Sequence, residues 1–476
     1  MGAIRATAAA VLTLIGAGVA AAECVTKARL VSTRSSAPNL VVGPFAWSGS
    51  VLAVAKTAEL NPKQIWVGVY DEELNPLLSD RLIATNASTL DGIITILWNG
   101  SEFGLFYRTE DVIRLQRLTM FGEPVGAPIS INPSRKPRLG DDIEVAWSAA
   151  LDAWVVARQI GSGTERGLWA TVVEPDGQET LDEQIPASLP GNPQLALAVN
   201  QTGIIGIFHL TTDDDILLFT TVNKDRFPTT RTISSAGTDV RVTTVGDLFV
   251  VARRVGTAPD AEIRWLITDS DHQPVRPDSV LVDGNDGVPV PAGLVVGDGE
   301  LALTYSVPPP GSTNNPELRL RRFTTTGTVI SDTQFAAADP TVTRALASFP
   351  PVWTGTAYLT AAIRETSTRL DSYLERYCLL QAGIVAPRVV LLGQPVLLSG
   401  IVDGGVPPYS YAWTVARDPG GSKSGSTISR TFGATGARLI TLVVTDASGA
   451  STTSTFTLEV VDEIFVPKEK RRSVRK

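Results

Sequence analysis

The chain has 476 residues and a formal net charge of −8, although residues 468–476 alone carry six positive charges and one negative. Because phosphate binding needs a positive surface, the acidic body of the chain excludes a general nucleic-acid partner. Only two histidines are present, which excludes a histidine-rich zinc site. Val, Thr, Ile and aromatic residues recur in short runs between 41 glycines and 31 prolines, a composition typical of β-structure.

The first 22 residues have the pattern of a secretory signal peptide. Arg5 precedes the apolar run 8–15, and residues 20–22 are three alanines that fit the small-residue rule of signal peptidase. A lipoprotein anchored at Cys24 is the alternative, but Glu23 is charged where such processing needs a small residue. No later stretch reaches about 20 continuous apolar residues, so we expect no transmembrane segment. The chain is therefore expected outside the cell, at the cell surface or in the periplasm.

One sequence pattern recurs along the chain at intervals of 46 to 57 residues. An aromatic or aliphatic anchor is followed by a turn of Gly, Asn, Ser or Asp, and then by an alternating apolar strand. Each copy continues with a third strand and usually a fourth apolar segment, so one unit contains four short strands. The anchors are Trp47, Trp98, Trp147, Val199, Val245, Val296 and Trp353.

Four short strands per unit predict the blade of a β-propeller. One such sheet cannot bury both of its faces, whereas a closed ring of blades covers every face. A row of β-sandwich domains would need about 100 residues per domain, twice the interval seen here. We therefore predict an all-β fold with a propeller of seven blades over residues 23–383.

The two ends of the propeller are expected to meet in one blade. The seventh unit supplies three strands, and the strand-like segment 28–33 before the first anchor is free to become its outer strand. The only two cysteines, Cys24 and Cys378, lie beside these two partners. An isolated cysteine pair in an exported protein indicates a disulfide. We predict a Cys24–Cys378 bond across the closing blade.

Residues 384–462 no longer follow the propeller interval. The stretches GGVPPYSYAW (404–413) and LVVTDASG (442–449) resemble the PKD and related immunoglobulin-like repeats of bacterial surface and secreted proteins. The resemblance implies a small β-sandwich with Trp413 in its core and a turn at 446–449, and a role in display or adhesion. PKD domains usually have an acidic, Gly-rich turn after this Trp, and this chain does not. Residues 463–476 are predicted to be a basic, disordered tail, or alternatively a contact with an anionic envelope surface.

Few residues are candidates for chemistry. His209 lies in an apolar strand and His272 in a turn, so neither is expected in a Ser-His-Asp site. The acidic pairs and triplet at 110–111, 141–142 and 213–215 lie between predicted strands, where Asp favours turns. The stretch 283–287 lacks the distal Glu of a calcium loop. We predict no catalytic residue, no metal ligand and no cofactor.

The leading hypothesis is a monomeric, non-catalytic binding or adhesion protein for a surface glycan or a protein partner. The alternative is a secreted carbohydrate-active hydrolase or lyase that uses carboxylates at the propeller mouth. The Trp anchors recur at equivalent positions, which indicates packing rather than sugar stacking. The segment 307–316 interrupts a blade and is the candidate for a functional loop. Carboxylates gathered at one end of the channel would favour the enzyme.

Overall fold

The structure is a computed structural model that describes residues 27–462 with internal gaps. The gaps are 35–39, 59–62, 87–89, 110–111, 133–141, 161–166, 186–193, 211–216, 224–225, 235–236, 258–259, 285–286, 298, 308–316, 337–341, 347–349, 367–369, 406, 417–422 and 448. The described residues form 37 strands, and among them there is no helix that could span a membrane. The predicted signal peptide (1–22), the functional-loop candidate and the basic tail (463–476) lie wholly or almost wholly outside these residues.

Seven antiparallel sheets follow one another along the chain, and we call them blades 1 to 7. In blades 1 to 6 the strands lie in sequence order from the innermost strand to the rim. Blade 1 has β2 (Leu40–Trp47), β3 (Leu52–Ala58), β4 (Lys63–Tyr70) and β5 (Pro76–Asn86). Blade 2 has β6 (Leu90–Trp98), β7 (Phe103–Thr109), β8 (Val112–Leu118) and β9 (Pro124–Ile131). Blade 3 has β10 (Ile143–Ser148), β11 (Ala153–Ile160), β12 (Gly167–Val173) and β13 (Glu179–Ile185).

The second half of the ring repeats this arrangement. Blade 4 has β14 (Leu195–Val199), β15 (Ile205–Leu210), β16 (Leu217–Asn223) and β17 (Arg226–Ser234). Blade 5 has β18 (Thr238–Val245), β19 (Leu248–Val255), β20 (Glu262–Thr268) and β21 (Pro274–Val282). Blade 6 has β22 (Val290–Val296), β23 (Leu301–Val307), β24 (Glu317–Phe323) and β25 (Val329–Ala336). These sheets confirm the all-β propeller fold.

Blade 7 joins the two ends of the propeller. Its inner edge is formed by β26 (Val342–Leu346) and the short β27 (Val352–Trp353), followed by β28 (Ala357–Thr366) and β29 (Leu370–Cys378). Its outer strand is β1 (Lys27–Arg34), which pairs with β29 from Lys27 opposite Arg376 to Arg34 opposite Leu370. The N-terminal strand therefore closes the ring, as the sequence predicted.

The predicted disulfide lies partly outside the described residues. Cys24 is not among them, whereas Cys378 ends β29 and is fully buried. The Lys27–Arg376 pair lies three residues after Cys24 and two residues before Cys378 along the two strands. This register brings the chain near both cysteines together, and the bond itself stays a prediction.

A five-residue turn between the third and fourth strands recurs in five blades and holds neighbouring blades together. Its fourth residue has positive φ: Leu74 (60°), Gly122 (71°), Gly177 (93°), His272 (63°) and Gly327 (85°). Leu74 is fully buried in a cluster with blade 7 residues, and the His272 ring lies 4.6 Å from that of Phe219 in blade 4. Leu74 and His272 accept an unfavourable backbone conformation because their side chains fill the space between blades.

A buried polar link between the second and fourth strands is a second repeated feature. In four blades a Lys, Arg or Tyr on the second strand is nearly inaccessible to solvent and contacts an Asp on the rim strand. Blade 4 has His209 in this place, bonded to Thr220, and burial lowers the pKa of His209 to about 4. The four pairs are Lys56–Asp80 (2.8 Å), Arg158–Asp182 (3.0 Å), Arg253–Asp278 (2.8 Å) and Tyr305–Asp332 (2.7 Å).

The Trp anchors pack as the repeat predicted. Each lies at the end of an inner strand or one residue before it, is half-buried and borders an apolar core cluster. Three of them contact an aromatic ring on the adjacent second strand at centroid distances of 4.6 to 4.7 Å. These pairs are Trp98–Phe103, Trp147–Trp154 and Trp353–Tyr358.

The C-terminal residues form two further sheets. One contains β30 (Gln381–Val385), β32 (Pro395–Asp403) and β35 (Thr427–Thr431). The other contains β31 (Val389–Leu391), β33 (Ser410–Val415), β34 (Lys423–Ser424), β36 (Gly436–Thr445) and β37 (Ser451–Val461). Both sheets contribute to one apolar cluster in which Trp413 is fully buried, and Asp446 and Ala450 close the turn between β36 and β37. Membership of the PKD family stays a prediction.

Replacing Asp80 with Ala should test the buried links. The variant leaves the Lys56 ammonium, which is 1% exposed, without its carboxylate partner. Removing one member of a buried ion pair costs about 3–5 kcal/mol of unfolding free energy. Chemical denaturation should show this loss, whereas Glu123→Ala, which breaks the exposed pair with Arg81, should cost less than about 1 kcal/mol. Equal losses in the two variants would contradict the structural role of the link.

Candidate functional site: the charged mouth of the channel

The innermost strands of the blades surround a central channel, and most of their residues are only partly buried in blades 3 and 5. At one face of the ring these strands begin and the second strands end. We call it the loop face, because β9 and β23, which two of the longest connections of the propeller follow in the sequence, end there. The opposite face carries the short turns described above, and we call it the turn face. This topology places the first residues of every innermost strand at the mouth on the loop face.

Blade 3 brings two carboxylates to this mouth. Asp142 directly precedes β10, and Glu144 is the second residue of that strand, so both side chains lie on the same side of it. The Leu195 backbone N–H of blade 4 donates to Asp142 Oδ2 at 2.8 Å. This bond holds the Asp142 carboxylate between two blades.

Blade 5 supplies the positive charge of the mouth. Arg241 on β18 donates from Nε to the Ala292 carbonyl oxygen of blade 6 at 2.7 Å, and from Nη1 to the Val240 carbonyl oxygen at 2.8 Å. Its charge acts on both Asp142 and Glu144. Backbone oxygens therefore fix the guanidinium in a place from which its charge acts on the carboxyl groups of blade 3.

The environment changes the acidity of both carboxyl groups. Burial and, to a lesser extent, the negative charge of Asp142 raise the pKa of Glu144 to about 7, against the opposing effect of the Arg241 charge. Burial also raises the pKa of Asp142, while the Leu195 N–H and Arg241 oppose the change. Glu144 thus exchanges a proton near neutral pH, which is the property of a general acid or of a hydrogen-bond donor.

Two more polar residues extend the site. Gln194 precedes β14 in blade 4, and its Oε1 accepts a hydrogen bond from the Asp239 backbone N–H of blade 5. Asp239 has a φ of 51°, an unfavourable conformation for a residue with a side chain, and its carboxylate pairs with Arg254 at 2.9 Å. Backbone strain of this kind is concentrated at functional sites.

The repeat shows that these residues are exceptions. Judged by pairing with the second strand, the place of Glu144 is taken by Thr95 in blade 2, Ala196 in blade 4, Arg241 in blade 5 and Gly293 in blade 6. Among the compared blades, a charged residue occupies this place in blades 3 and 5, and an uncharged residue occupies it in blades 2, 4 and 6. We call the polar residues around these two positions the charged sector: Asp142, Glu144, Gln194, Asp239 and Arg241.

The sequence did not single out this sector. It assigned residues 141–142 to a solvated loop, but Asp142 is half-buried and bonded to the next blade. Glu144 and Arg241 lie in apolar strands and belong to no motif. Their place in the repeat, where other blades have small or uncharged residues, was the available signal. The clusters at 110–111 and 213–215 lie outside the described residues.

Neither histidine belongs to the charged sector. His209 and His272 lie in the strand and the turn where the sequence placed them, and burial lowers the pKa of both. Among the described residues there is no group of three or more His, Cys, Asp or Glu side chains that could hold a metal ion.

Comparisons with known proteins concern the fold only. No family model and no curated protein matches the chain. The β-propeller domain of the Trilobed protease from Pyrococcus furiosus is 9% identical, with 71% of this chain and 95% of that one covered and a TM-score of 0.44. The SapL1 lectin, solved with α-methyl fucoside, is 12% identical, with 64% and 98% covered and a TM-score of 0.37. Prolyl oligopeptidase B from Galerina marginata is 13% identical, with 72% and 47% covered and a TM-score of 0.38.

The raised pKa of Glu144 gives a test of the site's electrostatics. The ordinary value is 4.5, so the unfolded chain ionises first, and the stability of the folded state falls as pH rises from 4.5 to 7. Glu144→Gln removes this loss. The melting temperature of the variant minus that of the unmodified protein should therefore increase as the pH is raised from 4.5 to 8. Glu123→Gln, at an exposed site, should show a constant difference, and a constant difference for Glu144→Gln would contradict the burial of its charge.

Proposed function

We propose that this protein is an exported, non-catalytic binding protein that holds a surface glycan at the charged sector. The observation that carries the proposal is the grouping of Asp142, Glu144 and Arg241 at the mouth, where the charge of Arg241 acts on both carboxyl groups. Blades 2, 4 and 6 have uncharged residues at the place of Glu144, so a blade does not need a charge there in order to pack. Buried and half-buried charges cost free energy, so their concentration at one mouth favours a binding role over a packing role.

A glycan suits this combination of groups. Each sugar hydroxyl both donates and accepts hydrogen bonds, and the sector presents carboxylate acceptors, a guanidinium donor and an amide that does both. Glu144, with a pKa near 7, is able to donate or accept at neutral pH. A few polar groups with fixed directions are the usual source of specificity in a ligand site.

The rest of the chain supports the same role. The N-terminal pattern predicts export, where surface glycans are met, and the resemblance of residues 384–462 to PKD repeats implies display or adhesion. The propeller and the C-terminal sheets are joined within two residues of β29, so the second unit directly follows the closing blade. A surface protein recognised through the same mouth is the alternative ligand.

A second function, a secreted carbohydrate-active hydrolase, is favoured by one specific observation. Asp142 and Glu144 lie two residues apart on an extended chain, which separates their Cα atoms by about 6.6 Å. Glycosidases use two carboxyl groups at separations of about 5 to 9.5 Å, one of which has a raised pKa and acts as the acid. Glu144 would be this acid, and Asp142 the base or nucleophile.

Glycan-array binding followed by calorimetry should test the proposal. We expect Arg241→Ala to lower the affinity for the best-bound glycan by about tenfold or more, because it removes a charged hydrogen-bond donor. Arg81→Ala, at an exposed position on the rim, is the matched control and should bind normally. Arg241→Ala binding as tightly as the unmodified protein, or the absence of any bound glycan, would overturn the proposal.

Glu144→Gln distinguishes binding from hydrolysis. The amide keeps the size and hydrogen-bonding capacity of the side chain but cannot transfer a proton. In a binding protein the variant retains most of the affinity, and neither protein releases products from the bound glycan. Product release by the unmodified protein that is abolished in Glu144→Gln, with a rate that falls above pH 7, would establish the hydrolase instead.

A further inference from the structure

A cavity of about 410 Å³ opens on the turn face, between blades 5 and 6. It lies at the opposite end of the strands from the charged sector, and its volume is in the range of small-molecule sites. Blade 5 supplies its apolar walls, and blade 6 supplies hydroxyl groups from its five-residue turn, in which Gly327 is the fourth residue. Its main lining residues are Val245, Leu248, Ile267, Val275, Arg276 and Thr326.

Arg276 is the charged group of this cavity, and the protein holds it in place. Its guanidinium lies over the Trp265 ring at 4.5 Å from the centroid, and Nη1 donates to the Thr326 carbonyl oxygen. Trp265 is itself 1% exposed, so the platform beneath the guanidinium is rigid. An Arg fixed on an aromatic face is already oriented for recognition of an anion.

Within the described ranges, no carboxylate forms an ion pair with Arg276, and Asp278 pairs with Arg253 and Arg264 instead. The Arg276 Nε is enclosed, so a ligand cannot reach it. Nη2 has only a long hydrogen bond of 3.5 Å to Ser279 Oγ. Nη2 is therefore the donor of this guanidinium with hydrogen-bonding capacity left for a carboxylate.

Other blade junctions show that this cavity departs from the repeat. A β-carbon built on Gly122 would lie 3.1 Å from the Val69 side chain, and one built on Gly177 would lie 2.6 Å from that of Ile129. Aliphatic side chains therefore fill the junctions between blades 1 and 2 and between blades 2 and 3. The equivalent junction between blades 3 and 4 has a cavity of about 70 Å³ and is lined by an acid, Glu174.

We propose that the cavity between blades 5 and 6 binds a small organic carboxylate with an apolar or ring-shaped body. The carboxylate pairs with the Arg276 guanidinium through Nη2, and the body lies against Val245, Leu248 and Val275. A neutral ligand would leave the Arg276 charge unpaired, so the negative charge is the deciding feature. The proposal is independent of the glycan site, since the two sites share no residue and lie on opposite faces.

Calorimetric titration with phenylacetate and its neutral analogue phenylacetamide should test the proposal. We expect phenylacetate to bind about tenfold or more tightly than the amide, and Arg276→Leu to remove that preference. Arg276→Lys should keep part of it, because the charge stays while the planar guanidinium on the Trp265 ring is lost. Titration with glucuronate and its neutral analogue glucose is a parallel test. Comparison of glucuronate with phenylacetate shows whether the cavity prefers a sugar ring or an aromatic ring as the body of the ligand.

Two controls make the outcome decisive. Arg241→Leu, in the charged sector, should leave phenylacetate binding unchanged, which separates this site from the glycan site. The melting temperature of Arg276→Leu should show that the variant is folded. If it is not folded, Arg276→Lys replaces it in the comparison of acid and amide. Equal binding of acid and amide, an unchanged preference in Arg276→Leu, or no binding of either acid at millimolar concentration would overturn the proposal.

Discussion

Pairing between β1 and β29 is the constraint on which the rest of the molecule depends. Each four-stranded blade covers its apolar faces with its two neighbours, so a ring with one missing strand would expose surface at the closing blade. The same pairing aligns the first residues described with the last strand of the propeller. Glu72 and Glu73 of blade 1 also contact Arg376 on β29, at 3.7 and 2.8 Å, and Ser372 accepts the Val42 N–H. Closure therefore combines strand pairing with contacts between the first and last blades.

Because the blades repeat one structure, a residue that differs from those at the equivalent places in other blades is a candidate for a functional role. Several blades share the Trp anchor, the five-residue turn and the buried link. Asp142, Glu144 and Arg241 have no counterpart of this kind, and neither does Arg276. The two candidate sites were found by the same reasoning, since each places an unbalanced or costly charge where neighbouring blades have small, apolar or otherwise uncharged side chains.

The repeat was readable from the sequence because its signals are local. A Trp before a turn and an alternating strand after it survive in four of the seven units, and Gly at the turns is required by positive φ. The closing strand could be predicted because the seventh unit contains only three strands, and the strand-like segment 28–33 belongs to no unit. The core position of Trp413 was predicted from the resemblance of residues 404–413 to PKD repeats, and Trp413 is fully buried.

The charged sector was not readable from the sequence, because its residues come from blades 3, 4 and 5, with up to about 100 positions between them. No spacing rule joins Glu144 to Arg241, and only the closed ring brings them together. The buried links were equally hidden, since Lys56 and Asp80 are each ordinary strand residues. Their pairing depends on the register of three strands.

Hydrogen exchange on a chain that lacks residues 27–34 tests the account most directly. If β1 closes the ring, its loss should lower amide protection in all seven blades, including blade 4 on the far side, because the blades are stable only as a closed set. A chain that lacks the tail 463–476 is the control and should keep full protection. Loss of protection confined to β28 and β29, with blades 1 to 6 unchanged, would contradict the central role of closure.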